Sequence, residues 1–443
     1  LSILLSLLVP AHTAGSPNSV GIITTSGLNF LAEVAKPYAE MFLRHELMAP
    51  AASDPFLSSP TPSRNQIDSI TVAEMSLSLI PDTGLQLSID VDLGITPAPS
   101  TTEVIRVSIL AELHVEMNPE GNLELVTFAC KPSGEEMQGT EEMERPPCSS
   151  FRSPPLFLFF IPQICLEVSK FLYLPNEQLV SMAAPLPVTL SCQVQYLPLA
   201  APTFSEQGVT MSFQATFHVA GMAIPLPVSP VPFNMPEPAS SSPSQFILAF
   251  SEHYYTSLFF ALEMAGAFNM TIPSPLTTTT MAQNITQMGS LFEEDLPVTL
   301  QATFRSTPRV VLEEDKATLK LFLTVHVGAG STAFQSFLSA NVDMSAELLL
   351  SANDTRMMIS AAAIEDVELS LAASDVGPVP DALLEELFLP TIREEVPAQM
   401  NAVLSEGVYM PHGSGFTFVD TNVTVHKDYV LVACYLKLQV RNG

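Results

Sequence analysis

Apolar and polar residues alternate one by one over long stretches of this chain, on both sides of a proline-rich break. The alternation runs through 67–93, 104–117 and 209–219 before the break, as in Met75-Ser76-Leu77-Ser78-Leu79 and Leu85-Gln86-Leu87-Ser88-Ile89. After it come 298–305, 309–312, 317–327, 342–350, 357–362, 367–371, 417–425 and 429–439. Successive side chains of a strand point to opposite faces, so a period of two predicts strands with one face buried and one wet. Turn residues at 81–84 (PDTG) and 118–121 (NPEG) separate the early runs, which makes them an antiparallel meander.

Three stretches carry the helical period instead. In 26–48, Leu28, Leu31, Ala35, Tyr38, Phe42 and Leu47 share one face, and Pro37 predicts a kink. A strand at 246–250 leads into a helix over 251–265, with Ser251 as N-cap and Tyr254, Tyr255, Leu258 and Leu262 on one face. A third helical stretch, 380–404, carries Leu384 and Leu387 and is expected to be interrupted at Pro390 and Pro397.

Prolines recur every two to four residues from 225 to 244, so this stretch can neither join a ladder nor continue a helix. Because strand, helix and meander recur in the same order on either side of it, the chain reads as a duplicated α+β domain. The expected units are a first domain at 15–224, a linker at 225–245 and a second domain at 246–443. Residues 1–14, an apolar run followed by AHTA, read as a secretory signal fragment.

Composition narrows the function. Apolar residues make up 47% of the chain and charged ones 14%, which excludes a disordered polymer and calls for a large buried interior. Acidic residues outnumber basic ones 46 to 17, for a net charge of −29, so nucleic acid is not an expected partner. No stretch is long and apolar enough to predict a transmembrane helix. The expected location is extracellular, and four sequons at Asn269, Asn284, Asn353 and Asn422 fit that compartment.

The five cysteines, Cys130, Cys148, Cys165, Cys192 and Cys434, have no CxxC spacing. In a secreted chain they read as two disulfides with one left over, and spacing alone leaves the pairing open. No metal site or cofactor is expected, and no Gly-x-Ser-x-Gly elbow marks a hydrolase. Gly328-Ala-Gly330 lacks the rest of a phosphate loop, and His218 and His326 fall within strands. Glu293-Glu294, Glu313-Glu314 and Glu365-Asp366 read as solvated turns, so the chain is expected not to be an enzyme.

Three segments resemble the bactericidal/permeability-increasing (BPI-fold) family. They are 21–31 (GIITTSGLNFL), where a strand enters a helix through a Gly-Leu pair, 249–268 (AFSEHYYTSLFFALEMAGAF) and 376–387 (VGPVPDALLEEL). The likeness extends over nearly the whole chain in the same order. Within the family, 26–48, 248–272 and 354–374 look like a member from bird egg white.

The resemblance implies two barrels, each a twisted antiparallel sheet wrapped on long helices, joined by a central sheet in a boomerang. It implies a Cys130–Cys165 disulfide and places Cys192 and Cys434 together in the central sheet as a second pair. It also implies apolar pockets that take the acyl chains of phospholipid or another amphiphile, with Leu28, Leu31, Tyr38, Phe42, Leu258, Leu262, Leu384 and Leu387 as expected wall residues. An innate-defence role directed at bacterial envelope lipid follows by the same resemblance, with two rivals: a structural glycoprotein whose barrels are filled, and a lipid-transfer protein.

Two departures stand out. Where the family has a long amphipathic helix between Cys130 and Cys165, residues 132–148 and 153–162 show no helical period; they read as translated intron sequence or as a disordered excursion. Basic residues expected at the first barrel's tip are scarce, Arg64 and Lys131 being isolated, which weakens a cationic mode of binding lipopolysaccharide.

Overall fold

The computed structural model describes residues 16–48, 66–96, 103–133, 160–176, 179, 182–229, 231–233, 243–330 and 333–439. The signal fragment at 1–14, Arg64, the segment 134–159 with Cys148, and part of the 225–245 linker lie outside the described residues.

Strand β1 (Ser19–Thr24) runs directly into helix α1 (Thr25–Met48). The Thr24 hydroxyl holds the junction, accepting from the Gly27 N–H at 3.1 Å and donating to the Ser244 carbonyl at 2.6 Å. Gly27 is required there because a Cβ would stand 2.2 Å from the Gln245 carbonyl oxygen. The meander follows as β2 (Gln66–Ile80), β3 (Gly84–Thr96), β4 (Glu103–Met117) and β5 (Leu123–Pro132), one antiparallel sheet in that order. Helix α2 (Ile161–Tyr173) comes next.

The first half ends with β6 (Leu186–Pro187), β7 (Cys192–Pro198), β8 (Thr203–Ser205), β9 (Gly208–Val219) and β10 (Met222–Ala223). The second opens with β11 (Phe246–Ser251), α3 (Glu252–Met264), β12 (Met270–Thr277) and the short α4 (Thr278–Ala282). Four long strands follow: β13 (Pro297–Glu313), β14 (Lys316–Ala329), β15 (Gln335–Asn353) and β16 (Arg356–Ser374). Helix α5 (Asp381–Leu404), β17 (Val408–Tyr409), β18 (Phe416–His426) and β19 (Tyr429–Leu438) close the chain.

Strands β12 to β17 form a six-stranded antiparallel sheet, and the ends of the two halves meet in a nine-stranded sheet with the order β18-β19-β11-β1-β9-β7-β6, β8 and β10 each pairing with β9 off that path. In it β1 lies between the halves, with Ile22 opposite Thr210 on one side and Ile247 on the other. β1 and β11 lack alternation because both faces are covered: all six residues of β11 are buried. On the outer face, Phe233 of the proline-rich stretch packs over Val20, Ile22 and Ile247. The linker residue Phe233 thus closes an apolar stripe.

Three sequence expectations change. The runs 298–305 and 309–312 are one strand, β13, and 357–362 and 367–371 are one strand, β16. Register shifts near Ser306 and near Ala346 break the alternation without ending the ladders. Helix α5 is continuous through both prolines. The carbonyls that lose their partners belong to Glu386 and Arg393, both exposed to water, while Leu384, Phe388, Ile392, Val396, Met400 and Leu404 anchor the opposite face.

The third change is α2, which begins at Ile161 inside the stretch 153–162 that shows no helical period and runs on to Tyr173. Its buried residues Ile161, Ile164, Val168 and Leu172 do follow a helical period, but Pro162 at its first turn belongs to the apolar PPLFLFFIP run that masks the start.

Candidate functional site

Helices α1 and α2 lie on one apolar face of the four-stranded sheet. Leu28, Leu43 and Leu47 of α1 and Ile164, Val168 and Leu172 of α2 are buried against Leu87, Ile89, Val91, Leu93, Ile109 and Ala111. The helices meet through Phe42 and Phe171, ring centroids 5.8 Å apart.

Two ties hold α2 to the edge strand β5. One is the Cys130–Cys165 disulfide, Cα atoms 5.8 Å apart. The other is Asn176, whose side-chain oxygen accepts from the Leu125 N–H at 2.7 Å and whose NH₂ donates to the Leu125 carbonyl at 3.1 Å. Between these ties a cleft of about 210 Å³ opens, lined by Glu124, Leu125, Val126, Thr127, Ser169 and Tyr173. Its wall mixes apolar side chains with a carboxylate and hydroxyls.

The second half encloses a larger core under α3, α5 and the long strands. Ser251 caps α3, its hydroxyl accepting from the Tyr254 N–H at 3.3 Å. This core also takes in Leu123 and the inward faces of β7 and β9 from the first half, and where the halves meet it carries a tyrosine relay. The Tyr196 hydroxyl donates to the Tyr409 carbonyl at 2.7 Å, so the Tyr254 hydroxyl, 2.9 Å away, must donate to Tyr196. Burial raises the pKa of Tyr196, Tyr254 and Tyr255 above the usual phenol range, which keeps all three neutral. A void of about 10 Å³ beside Tyr196, lined also by Leu123, Leu179, Met182 and Phe213, has room for about one water molecule.

The expected wall residues separate into two groups. Leu28 is buried at 2% exposure in the first core, Leu31 and Phe42 are half-buried, and Tyr38 is 47% exposed. Leu258, Leu262 and Leu384 are fully buried in the larger core, with Leu387 packed against it. None of the eight lines the cleft or the void. The cleft residues Ser169 and Tyr173 lie on α2, and the period of Ile161, Ile164, Val168 and Leu172 is the sequence signal that points to that helix.

The Cys130–Cys165 bond is present, but the expected Cys192–Cys434 pair is not: both are free, buried thiols, pushed up to about 12 by desolvation. Both do lie in the central sheet, on β7 and β19, with β9, β1 and β11 between them. At roughly 4.8 Å per strand they stand well beyond the reach of a disulfide. The Cys434 thiol donates instead to the Phe246 carbonyl at 3.4 Å.

Asn269, Asn284, Asn353 and Asn422 are all exposed. Lys131 is paired with Glu112 at 2.9 Å, so it does not contribute a free positive charge. Among the described residues no group of three or more His, Cys, Asp or Glu is placed to hold a metal, and no helix is long and apolar enough to cross a membrane.

Comparison with known proteins places this architecture. Residues 189–438 match the model of the LBP / BPI / CETP family, C-terminal domain. The chicken (Gallus gallus) protein TENP is 56% identical over 437 residues, covering 98% of both chains. Human BPI fold-containing family B member 2 is 24% identical over 454 residues, 99% of this chain and 98% of that one. A crystal structure of lipopolysaccharide binding protein superposes with a TM-score of 0.58 at 15% identity, covering 96% of this chain and all of the other, which is a likeness of fold. By the extent and identity of these matches, this chain is a member of the LBP/BPI/CETP family.

Proposed function

We propose that the protein is a secreted, glycosylated, non-enzymatic binder of an amphiphilic lipid, acting in innate defence in egg white. It takes an acyl chain into the space between helix and sheet. The observation that carries this reading is the open cleft between α2 and β5, apolar at Leu125 and Val126 and polar at Glu124, Thr127 and Ser169. An amphiphile needs both characters, and each methylene withdrawn from water contributes roughly 0.8 kcal/mol. A protein of the same fold is named for binding lipopolysaccharide, a lipid with acyl chains. With Lys131 engaged by Glu112, acyl burial rather than charge supplies the affinity. In this reading the chain forms two barrels, at 15–224 and 246–443, and its sugars sit on Asn269, Asn284, Asn353 and Asn422.

A second reading is a structural glycoprotein with filled barrels. It is favoured by the complete burial of Leu258, Leu262 and Leu384, and by the 210 Å³ of the cleft, below the roughly 300 Å³ of a typical ligand pocket.

Native mass spectrometry of the protein from its source, followed by organic extraction, separates the two. One lipid held per chain, lost in Ser169→Trp at unchanged melting temperature, supports the binding reading. A bare chain that also fails to take up added phospholipid supports the filled one.

A further inference from the structure

The β6–β7 and β9–β10 hairpins end side by side at one end of the central sheet, where Cys192 lies opposite Val219, Val219 opposite Met222, and the Ala220 N–H donates to the Ser191 carbonyl at 2.9 Å. Each tip presents one large apolar side chain to solvent: Leu190 is fully exposed and Met222 is 71% exposed. Leu226 and Val228, just beyond β10, are exposed as well. Folding left these side chains in water although other apolar residues of the same strands are buried, Val194 and Phe217 among them.

The electrostatics of this end are distinctive. From residue 179 to 251 the sequence has no lysine or arginine and two acidic residues, Glu206 and Glu237, in a chain with 63 charged residues in all. Glu206 sits at the β8–β9 turn, at the opposite end of β9 from the tips and roughly 35 Å away along the strand. The outer face behind the tips carries Gln193, Gln195, Gln214 and Thr216, which are neutral donors and acceptors, with the imidazole of His218 opposite Gln193.

We infer that this end of the central sheet docks onto an electrically neutral lipid surface of zwitterionic headgroups, Leu190 and Met222 entering the acyl boundary. Two separate protruding side chains suit a fluid interface, which closes around each, better than a protein partner, which must supply a shaped pocket for both. With no lysine or arginine on either hairpin and a net charge of −29, an anionic surface would repel the molecule, whereas a zwitterionic one would not. The inference goes beyond the interior cleft and does not depend on it.

Binding of the full chain to phosphatidylcholine vesicles, and to the same vesicles with phosphatidylglycerol added, tests it. The wild type is expected to bind the neutral vesicles with little dependence on salt, and more weakly as anionic lipid is added. L190D/M222D is expected to lose at least about tenfold in affinity, since two buried apolar side chains become charged. Both substitutions are at exposed positions, so melting temperature and any co-purifying lipid should stay as in the wild type. Equal vesicle binding by the variant, or none by the wild type, overturns the docking edge while leaving interior binding untouched. A wild-type dimer that the variant abolishes, without vesicle binding, would assign the tips to a second copy and overturn it too.

Discussion

Under α1 and α2 the four-stranded sheet meets its helices with half-buried residues at the seam and a cleft at the β5 edge, while under α3 and α5 the six-stranded sheet closes on side chains with almost no exposure. Both units start from a central-sheet strand running into a helix, and both cover one face of a meander. They differ in how the helices are held. α5 spans 24 residues with a buried residue at every fourth position from Leu384 to Leu404, and Asn401 adds a tie to β16, accepting from the Ala361 N–H at 2.7 Å and donating to its carbonyl at 2.9 Å, so the helix is seated along its whole length. α2 is 13 residues long and is fastened to an edge strand by a disulfide and one asparagine. A short helix held at two points can leave space beneath it; a long helix seated along its whole length cannot.

The largest expected effect breaks the comparison directly. Phe388→Ala removes a ring at 1% exposure and should cost about 4 kcal/mol, whereas Phe42→Ala, at the half-buried seam of α1, should cost about 1 kcal/mol. Urea denaturation of both variants measures this, and equal losses would mean the two interiors are packed alike.

Next is the covalent tie. Cys130 and Cys165 are 35 residues apart, and removing both sulfurs as serines should destabilise the first half by roughly 3.5 kcal/mol. Hydrogen exchange should show the loss in α2 and β5 and leave β13–β16 as protected as before. A uniform loss across both halves would show that they unfold as one unit.

The smallest effect concerns a group that the filled interior tolerates poorly. Glu263 on α3 has one carboxylate oxygen buried without a hydrogen-bond partner among the described residues, and burial raises its pKa. A carboxyl whose folded pKa lies above its unfolded value favours the native state while protonated. That contribution is lost as pH rises from the ordinary glutamate range through the raised folded value. Glu263→Gln should therefore stabilise the protein by about 1 kcal/mol at neutral pH and flatten its stability between mildly acidic and neutral pH. A variant with the wild-type pH profile would show that water reaches the carboxylate.

Much of this architecture could be read from residue order. The meander was legible because β2, β3 and β4 bury one face each, so alternation survives along their length. The Ser251 cap of α3 was legible because capping is a local matter of one hydroxyl and a nearby N–H. By contrast, β13 and β16 looked like pairs of strands, since a bulge shifts the side-chain pattern by one residue and the sequence cannot say whether a neighbour still pairs across it. Of the candidate site, the α3 face was legible, but the buried face of α1 runs through Leu28, Ala32, Ala39, Leu43 and Leu47 rather than Leu31, Ala35, Tyr38 and Phe42, and the cleft was not legible. Its wall is made where α2 crosses β5, two elements more than 25 residues apart whose separation no local pattern encodes.

The cysteines show the same division. Compartment and number argued for disulfides, and the 130–165 pair joins two elements that are neighbours in space. Cys192 and Cys434 do share one sheet, but the strand order, with β9, β1 and β11 between β7 and β19, keeps them apart. Residue order by itself determined the strand and helix periods, the acidic charge and the Ser251 cap, because each depends on chemistry within a few residues. Tertiary structure alone decided which of those faces is sealed, which edge stays open and which thiols meet, because these depend on distances between elements far apart in the chain.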